Sequence, residues 1–105
     1  MVDLARGHLA ALDGLDRRAP GTSIWNLGTG AGASVHEVRA ALESACGHPL
    51  AYRITDRRAG DIAASVADPT KANEELDWYA ELSLSDMCRD AWRWQSDNPE
   101  GYPSD

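Results

Sequence analysis

The stretch Ser23-Ile24-Trp25-Asn26-Leu27-Gly28-Thr29-Gly30-Ala31-Gly32-Ala33-Ser34-Val35-His36-Glu37 decides how this chain is read. Its first five residues have the character of a short strand. Residues 28–33 form a glycine-rich turn. Ser34 and Glu37 have capping-box spacing, in which each side chain satisfies the other residue's backbone donor. The helix they open carries Val35, Val38, Leu42 and Ala45 on one face and stops at Gly47, with Pro49 beyond. A strand, a tight turn and a capped helix in succession point to an α/β fold.

On the C-terminal side, Leu50, Tyr52 and Ile54 alternate with Ala51 and Arg53, which predicts a second strand. The charged loop Asp56-Arg57-Arg58-Ala59-Gly60-Asp61 leads into a third extended stretch, Ile62 to Ala67. Asp68-Pro69 reads as a helix cap followed by proline at the first helical position, opening a short helix that ends near Leu76-Asp77-Trp78. Ser83 and Asp86 form a second capping signature. The helix after them runs from Leu84 to about Ser96, with Leu84, Met87, Cys88, Ala91, Trp92 and Gln95 along one side. On the N-terminal side, Leu4, His8, Leu12 and Leu15, with Leu9 beside them, predict an amphipathic first helix. Residues 16–22 then form a loop. The expectation is a small mixed α/β lobe of four helices and about three short strands, one domain over residues 1–97 and a tail over 98–105.

With 105 residues the chain has room for one domain, and 43 % hydrophobic residues are too many for a disordered tail. Ten Lys+Arg against 17 Asp+Glu give a net charge of −7, which argues against nucleic acid as a partner. No apolar run is long enough to span a membrane, and the acid-bearing N-terminus is not a signal peptide. Cys46 and Cys88 lack metal-site spacing and fit reduced thiols of a cytoplasmic protein. The chain opens directly on a helical pattern, which reads as the end of a longer protein.

Gly28-x-Gly30-x-x-Ala33 between a strand and a helix, with Asp56 after the next strand, nearly matches the dinucleotide-binding fingerprint. Three features favour a structural turn instead. Trp25 and Asn26 interrupt what should be a continuously apolar central strand. Ser34 already satisfies the helix start, and too little chain remains for a doubly wound sheet.

The chain has one lysine, Lys71, and Ala67 stands four residues before it, so no tyrosine–lysine proton relay one helical turn apart exists. His8, His36 and His48 pair with no cysteine at metal-ligand spacing. His8 reads as a hydrogen-bonded packing residue, and His36 and His48 as exposed. Asp86, Arg89, Asp90 and Arg93 read as a solvated helix face. Arg57-Arg58-Ala59-Gly60-Asp61 is the best candidate site. An arginine fork there suits phosphate oxygens, and the carboxylate suits sugar hydroxyls.

Read together, several segments resemble the C-terminal part of the UDP-glucose 4-epimerases, in the extended short-chain dehydrogenase/reductase family. These are Asn26-Leu27-Gly28-Thr29-Gly30, Arg57-Arg58-Ala59-Gly60-Asp61, Ala67-Asp68-Pro69-Thr70-Lys71-Ala72, Glu75-Leu76-Asp77-Trp78 and Asp90-Ala91-Trp92-Arg93-Trp94-Gln95-Ser96 with Asn98-Pro99-Glu100-Gly101-Tyr102. The resemblance covers essentially the whole chain. It implies the substrate-binding lobe of an isomerase that interconverts UDP-glucose and UDP-galactose by removing and returning a hydride through NAD.

By the same resemblance, Arg58 binds the UDP pyrophosphate, Asp61 holds the uridine ribose, and Ser65 lies beside the hexose, where a small residue leaves a roomy pocket. The Rossmann domain, the NAD loop and the catalytic tyrosine and lysine belong to the part not present. No catalytic residue and no cofactor site are therefore expected in this chain. UDP-sugar and the missing N-terminal domain are its expected partners. Apolar surface on the first helix and the glycine-loop side, with self-association, is expected of the isolated chain. The alternatives are a stand-alone weak UDP or UDP-sugar binding module, or half of a split enzyme.

Overall fold

The computed structural model describes residues 1–102. They fall into two compact units, one of residues 1–32 and 61–82, the other of 33–60 together with the chain from 83 onward. Four α-helices are present among the described residues: α1 (Val2–Asp13, followed by a 3₁₀ turn Leu15–Arg17), α2 (Val35–Cys46), α3 (Thr70–Leu76) and α4 (Leu84–Asp97).

Where local chemistry sets the helix ends, the structure follows the sequence. The Ser34 hydroxyl accepts from the Glu37 N–H, and the Glu37 carboxylate accepts from the Ser34 N–H at 2.7 Å. Ser83 and Asp86 repeat the arrangement at α4. Gly47 closes α2 with φ of 78°, a left-handed conformation that costs glycine little. At α3 the Asp68 carboxylate accepts from both the N–H and the hydroxyl of Thr70, and the helix starts one residue later than the proline rule suggests.

The expected strands do not form. None is present among the described residues, so the mixed α/β expectation with three short strands is corrected to four helices joined by irregular segments. An extended segment becomes a strand only when a neighbour completes its ladder of hydrogen bonds. Residues 23–27, 50–54 and 62–67 have the composition for this but no ladder partner, and side chains anchor them instead. Trp25 Nε1 donates to the Glu75 carboxylate at 2.8 Å. The Leu50 N–H donates to the Glu43 carboxylate at 3.0 Å, and the Arg39 guanidinium lies 4.1 Å from the centre of the Tyr52 ring. Val66 and Ala67 pack against Gly32 and Gly28, where added β-carbons would come within 3.0 Å.

In the first unit α1 turns the face opposite to its leucines inward. Asp3, Gly7 and Gly14 are buried, whereas Leu4, Leu9, Leu12 and Leu15 are exposed. Gly7 lies so close to Leu27 and Trp78 that an added β-carbon would meet Leu27 Cδ1 at 2.5 Å and Trp78 Cε2 at 3.3 Å. Trp78 Nε1 donates to the Asp3 carbonyl at 2.9 Å. The Asp3 carboxylate accepts from the Glu81 and Leu82 N–H groups at 3.0 and 2.8 Å. Asp3 thus ties the start of α1 to the segment after α3.

In the second unit α2 packs against α4, with Cys88 buried and its Sγ 3.9 Å from the Val38 carbonyl. Trp92 meets the His48 ring edge-on at 5.7 Å, and Trp94 meets Tyr102 at 5.0 Å. The two tryptophans therefore pack separately. Asp86–Arg89 and Asp90–Arg93 form the expected pairs on the solvated side of α4.

Candidate functional site

Arg58, Asp61 and Ser65 all lie outside the helices and are exposed. Arg58 belongs to the 33–60 stretch of the second unit, and Asp61 and Ser65 to the 61–82 stretch of the first. Gly60, between Arg58 and Asp61, has φ of 88°, so the chain reverses where a side chain would be strained. Neither Arg58 nor Asp61 is without a partner.

The glycine loop does not fit a dinucleotide. Gly28 faces Ala67, Gly30 faces the Pro69 ring at 3.5 Å, and Gly32 faces Val66, so the missing β-carbons make room for the protein's own chain. The Ser34–Glu37 capping box independently satisfies donors at the α2 start that a pyrophosphate would use. No step involving NAD is assigned to this loop. Among the described residues no group of histidine, cysteine or acidic side chains could hold a metal. No helix among them is long and apolar enough to cross a membrane.

His8 is hydrogen-bonded, its Nδ1 lying 2.8 Å from the Leu4 carbonyl, but it is exposed rather than packed in a core. It borders a cleft of about 310 Å³ together with Gly7, Ala11, Ser23, Trp25 and Leu76. His36 and His48 are exposed, as expected, and rest against the Tyr52 and Trp92 rings.

A cluster that the sequence did not flag gathers in the first unit. The Glu75 carboxylate accepts from Trp25 Nε1 and from Arg18 Nη1 at 3.1 Å, while Arg18 Nη2 donates to the Glu75 carbonyl. The Arg18 guanidinium lies over the Trp25 ring at 4.7 Å, with Lys71 Nζ at 5.8 Å. The Trp25 hydrogen bond, helped by Lys71 and Arg18, holds Glu75 below its ordinary pKa of 4.5, against the opposing effect of burial. Arg18 and Trp25 also border a second cleft of about 550 Å³ over residues 18–23. Chain separations of 7 and 50 residues left no local signal for this cluster.

No protein-family model matches the chain. It is nonetheless similar along nearly all of its length to named UDP-glucose 4-epimerases. It is 53 % identical over 103 residues to the one from Yersinia pestis and 52 % over 102 residues to that of Dictyostelium discoideum, covering 98 % and 97 % of this chain and 30 % of each relative. Among solved structures, the Bifidobacterium longum UDP-glucose 4-epimerase in complex with NAD+ and UDP superposes with a TM-score of 0.89 at 50 % identity, over 96 % of this chain and 30 % of that one. The Stenotrophomonas maltophila enzyme with bound NAD and formylated UDP-arabinopyranose gives 0.84 at 45 % identity, over 92 % and 29 %. The chain thus matches, along nearly all of its own length, a C-terminal part of the UDP-glucose 4-epimerases, and it spans about 30 % of the length of the relatives it matches.

Proposed function

We propose that residues 1–97 are the substrate-binding portion of a cytoplasmic epimerase of galactose metabolism, which interconverts UDP-glucose and UDP-galactose with NAD held by the rest of the enzyme. Residues 98–105 form its tail, whose last three lie outside the described residues. The observation that carries this reading is the superposition, at half-identical sequence, on an epimerase crystallised with NAD+ and UDP.

In this reading Arg58 holds pyrophosphate oxygens through its planar fork, and Asp61 accepts from the ribose hydroxyls. Ser65, small and exposed, leaves space beside the hexose. NAD supplies hydride acceptance and return. The residues of this chain contribute binding and orientation, and the isolated chain is inactive because the Tyr-x-x-x-Lys relay is absent from its sequence.

Titration of the isotope-labelled chain with UDP tests the site. Amides around Arg58 and Asp61 should shift at millimolar UDP, and Arg58→Ala should abolish the shifts. An unperturbed spectrum would overturn the assignment of Arg58 and Asp61. Turnover of UDP-galactose by this chain with added NAD would overturn its inactivity alone.

A further inference from the structure

We propose that the glycine loop is a seat for the stretch that carries Ser65, with Gly28 and Gly32 as positioning residues for the hexose side of the substrate. The role rests on the epimerase reading, in which Ser65 lies beside the sugar. Neither Gly28 nor Gly32 has the positive φ that by itself calls for glycine. What each lacks is room for a side chain. A β-carbon on Gly28 would stand 3.0 Å from the Ala67 β-carbon, and the next atoms, the Ala67 carbonyl oxygen and α-carbon, lie at 3.8 and 4.0 Å. The gap between the two backbones therefore admits one methyl group and not two. A β-carbon on Gly32 would meet Val66 Cγ2 at the same 3.0 Å.

The two contacts differ in what can yield. A β-carbon moves only with its own backbone, so a methyl at position 28 pushes the main chain at Ala67 away from the loop. Val66 can turn about χ1, which makes the contact at Gly32 the softer one. Residues 62–67 have no strand ladder, and packing against the loop takes its place. Ser65 adjoins Val66 in the chain, whereas Asp61 stands four residues before it. A shift at 66–67 is therefore passed to Ser65 before it reaches Asp61. The glycine spacing that would let a backbone approach a pyrophosphate here lets one approach the chain beside the sugar.

Exchanging the methyl group between the two positions tests the seat in the 105-residue chain. Without ligand, Gly28→Ala should move the amide resonances of Ala64 and Ser65. Gly28→Ala combined with Ala67→Gly should return them, because one methyl again fills the gap. Titration should find the Kd for UDP-glucose raised about fivefold in Gly28→Ala and restored in the double variant, with the Kd for UDP changed by less than about twofold throughout. If circular dichroism shows that Gly28→Ala does not fold, Gly32→Ala carries the same test: a rise of about twofold for UDP-glucose, reversed by Val66→Ala. Equal weakening toward UDP and UDP-glucose would reduce the glycines to general packing and overturn the proposal. An unmoved Ser65 amide, an unchanged Kd for UDP-glucose, or a methyl exchange that fails to restore it would overturn it equally. A wild type that binds neither UDP nor UDP-glucose would instead defeat the epimerase reading. The hexose-side role would then fall with that reading, even where the exchange returns the amides.

Discussion

Each unit contains an arginine stacked on an aromatic ring and paired with a glutamate, and the two triads are built differently. In the second unit Arg39 and Glu43 are neighbours one turn apart on α2, at 3.4 Å, and Tyr52 arrives from the next segment. In the first unit Arg18, Trp25 and Glu75 come from three distant stretches. Both arginines leave a buried Nε without a hydrogen-bond acceptor, and in each the guanidinium lies over the π face of its aromatic partner. Both triads fasten a ladderless segment to a helix. The contrast is between a unit organised by contacts near in sequence and one organised by contacts far apart, and these should respond differently to substitution.

The widest break should come at Asp3. Its carboxylate and carbonyl hold groups 75 to 79 residues away. Asp3→Ala leaves the Glu81 and Leu82 N–H groups without their charged acceptor, which costs about 3 kcal/mol. Urea unfolding measures this loss. Hydrogen exchange should show protection falling in α1 and α3 first, with α2 and α4 keeping theirs. Equal loss in all four helices would remove the distinction between the units.

The next effect tests the close approach at Gly7. Valine there must displace Leu27, whose Cδ1 lies 2.5 Å from the β-carbon position, and must press on the Trp78 ring at 3.3 Å. Leu27 is flexible, and leaving glycine improves helix propensity, so the net loss should be about 2 kcal/mol rather than more. Thermal unfolding by circular dichroism reads it.

The same pair of sites shows what the sequence made legible. Capping boxes at Ser34 and Ser83, the Gly47 terminator and the i,i+3 pairs on α4 are determined within four residues, and all are present. Apolar surface on the first helix was expected, and its leucines are exposed, but the glycine contact that turns the opposite face of α1 inward was not legible. Leucine periodicity names the most apolar face, but Gly7 allows Leu27 and Trp78 closer than any leucine could, so the small face packs and the leucines remain outside. The strand expectations failed for a related reason. Alternation reports the capacity to pair, and pairing requires a partner among the residues present. The loop holding Arg58 and Asp61 stands out in the sequence by its residue types alone, whereas their proposed roles, and Ser65 altogether, come only through the resemblance.

A smaller loss should follow from a local contact. Ser83→Ala removes the hydroxyl that accepts from the Asp86 N–H and should cost about 1 kcal/mol, with fraying confined to the first turn of α4. Ser83→Asp should restore most of it, because a carboxylate can accept the same bond. Amide exchange at residues 84–87 separates local fraying from collapse of the second unit.

The smallest effect sharpens the comparison between the triads at low pH. Trp25 Nε1 is the main reason Glu75 ionises below 4.5. A carboxylate whose folded pKa is depressed contributes stability above its unfolded value and loses it as pH falls through the folded pKa. Acid should therefore loosen the first-unit triad below pH 4.5, while leaving the Arg18–Trp25 stack, which needs no ionised partner. Trp25→Phe keeps a ring beneath Arg18 but removes the indole donor. Carboxyl-detected NMR should then show Glu75 titrating closer to 4.5, still somewhat lowered by Lys71 and Arg18, and the acid limb of the stability curve should flatten. A Glu75 titration unchanged by Trp25→Phe would place the depression on the cations, and the long-range indole bond would lose its role as the organiser of that unit.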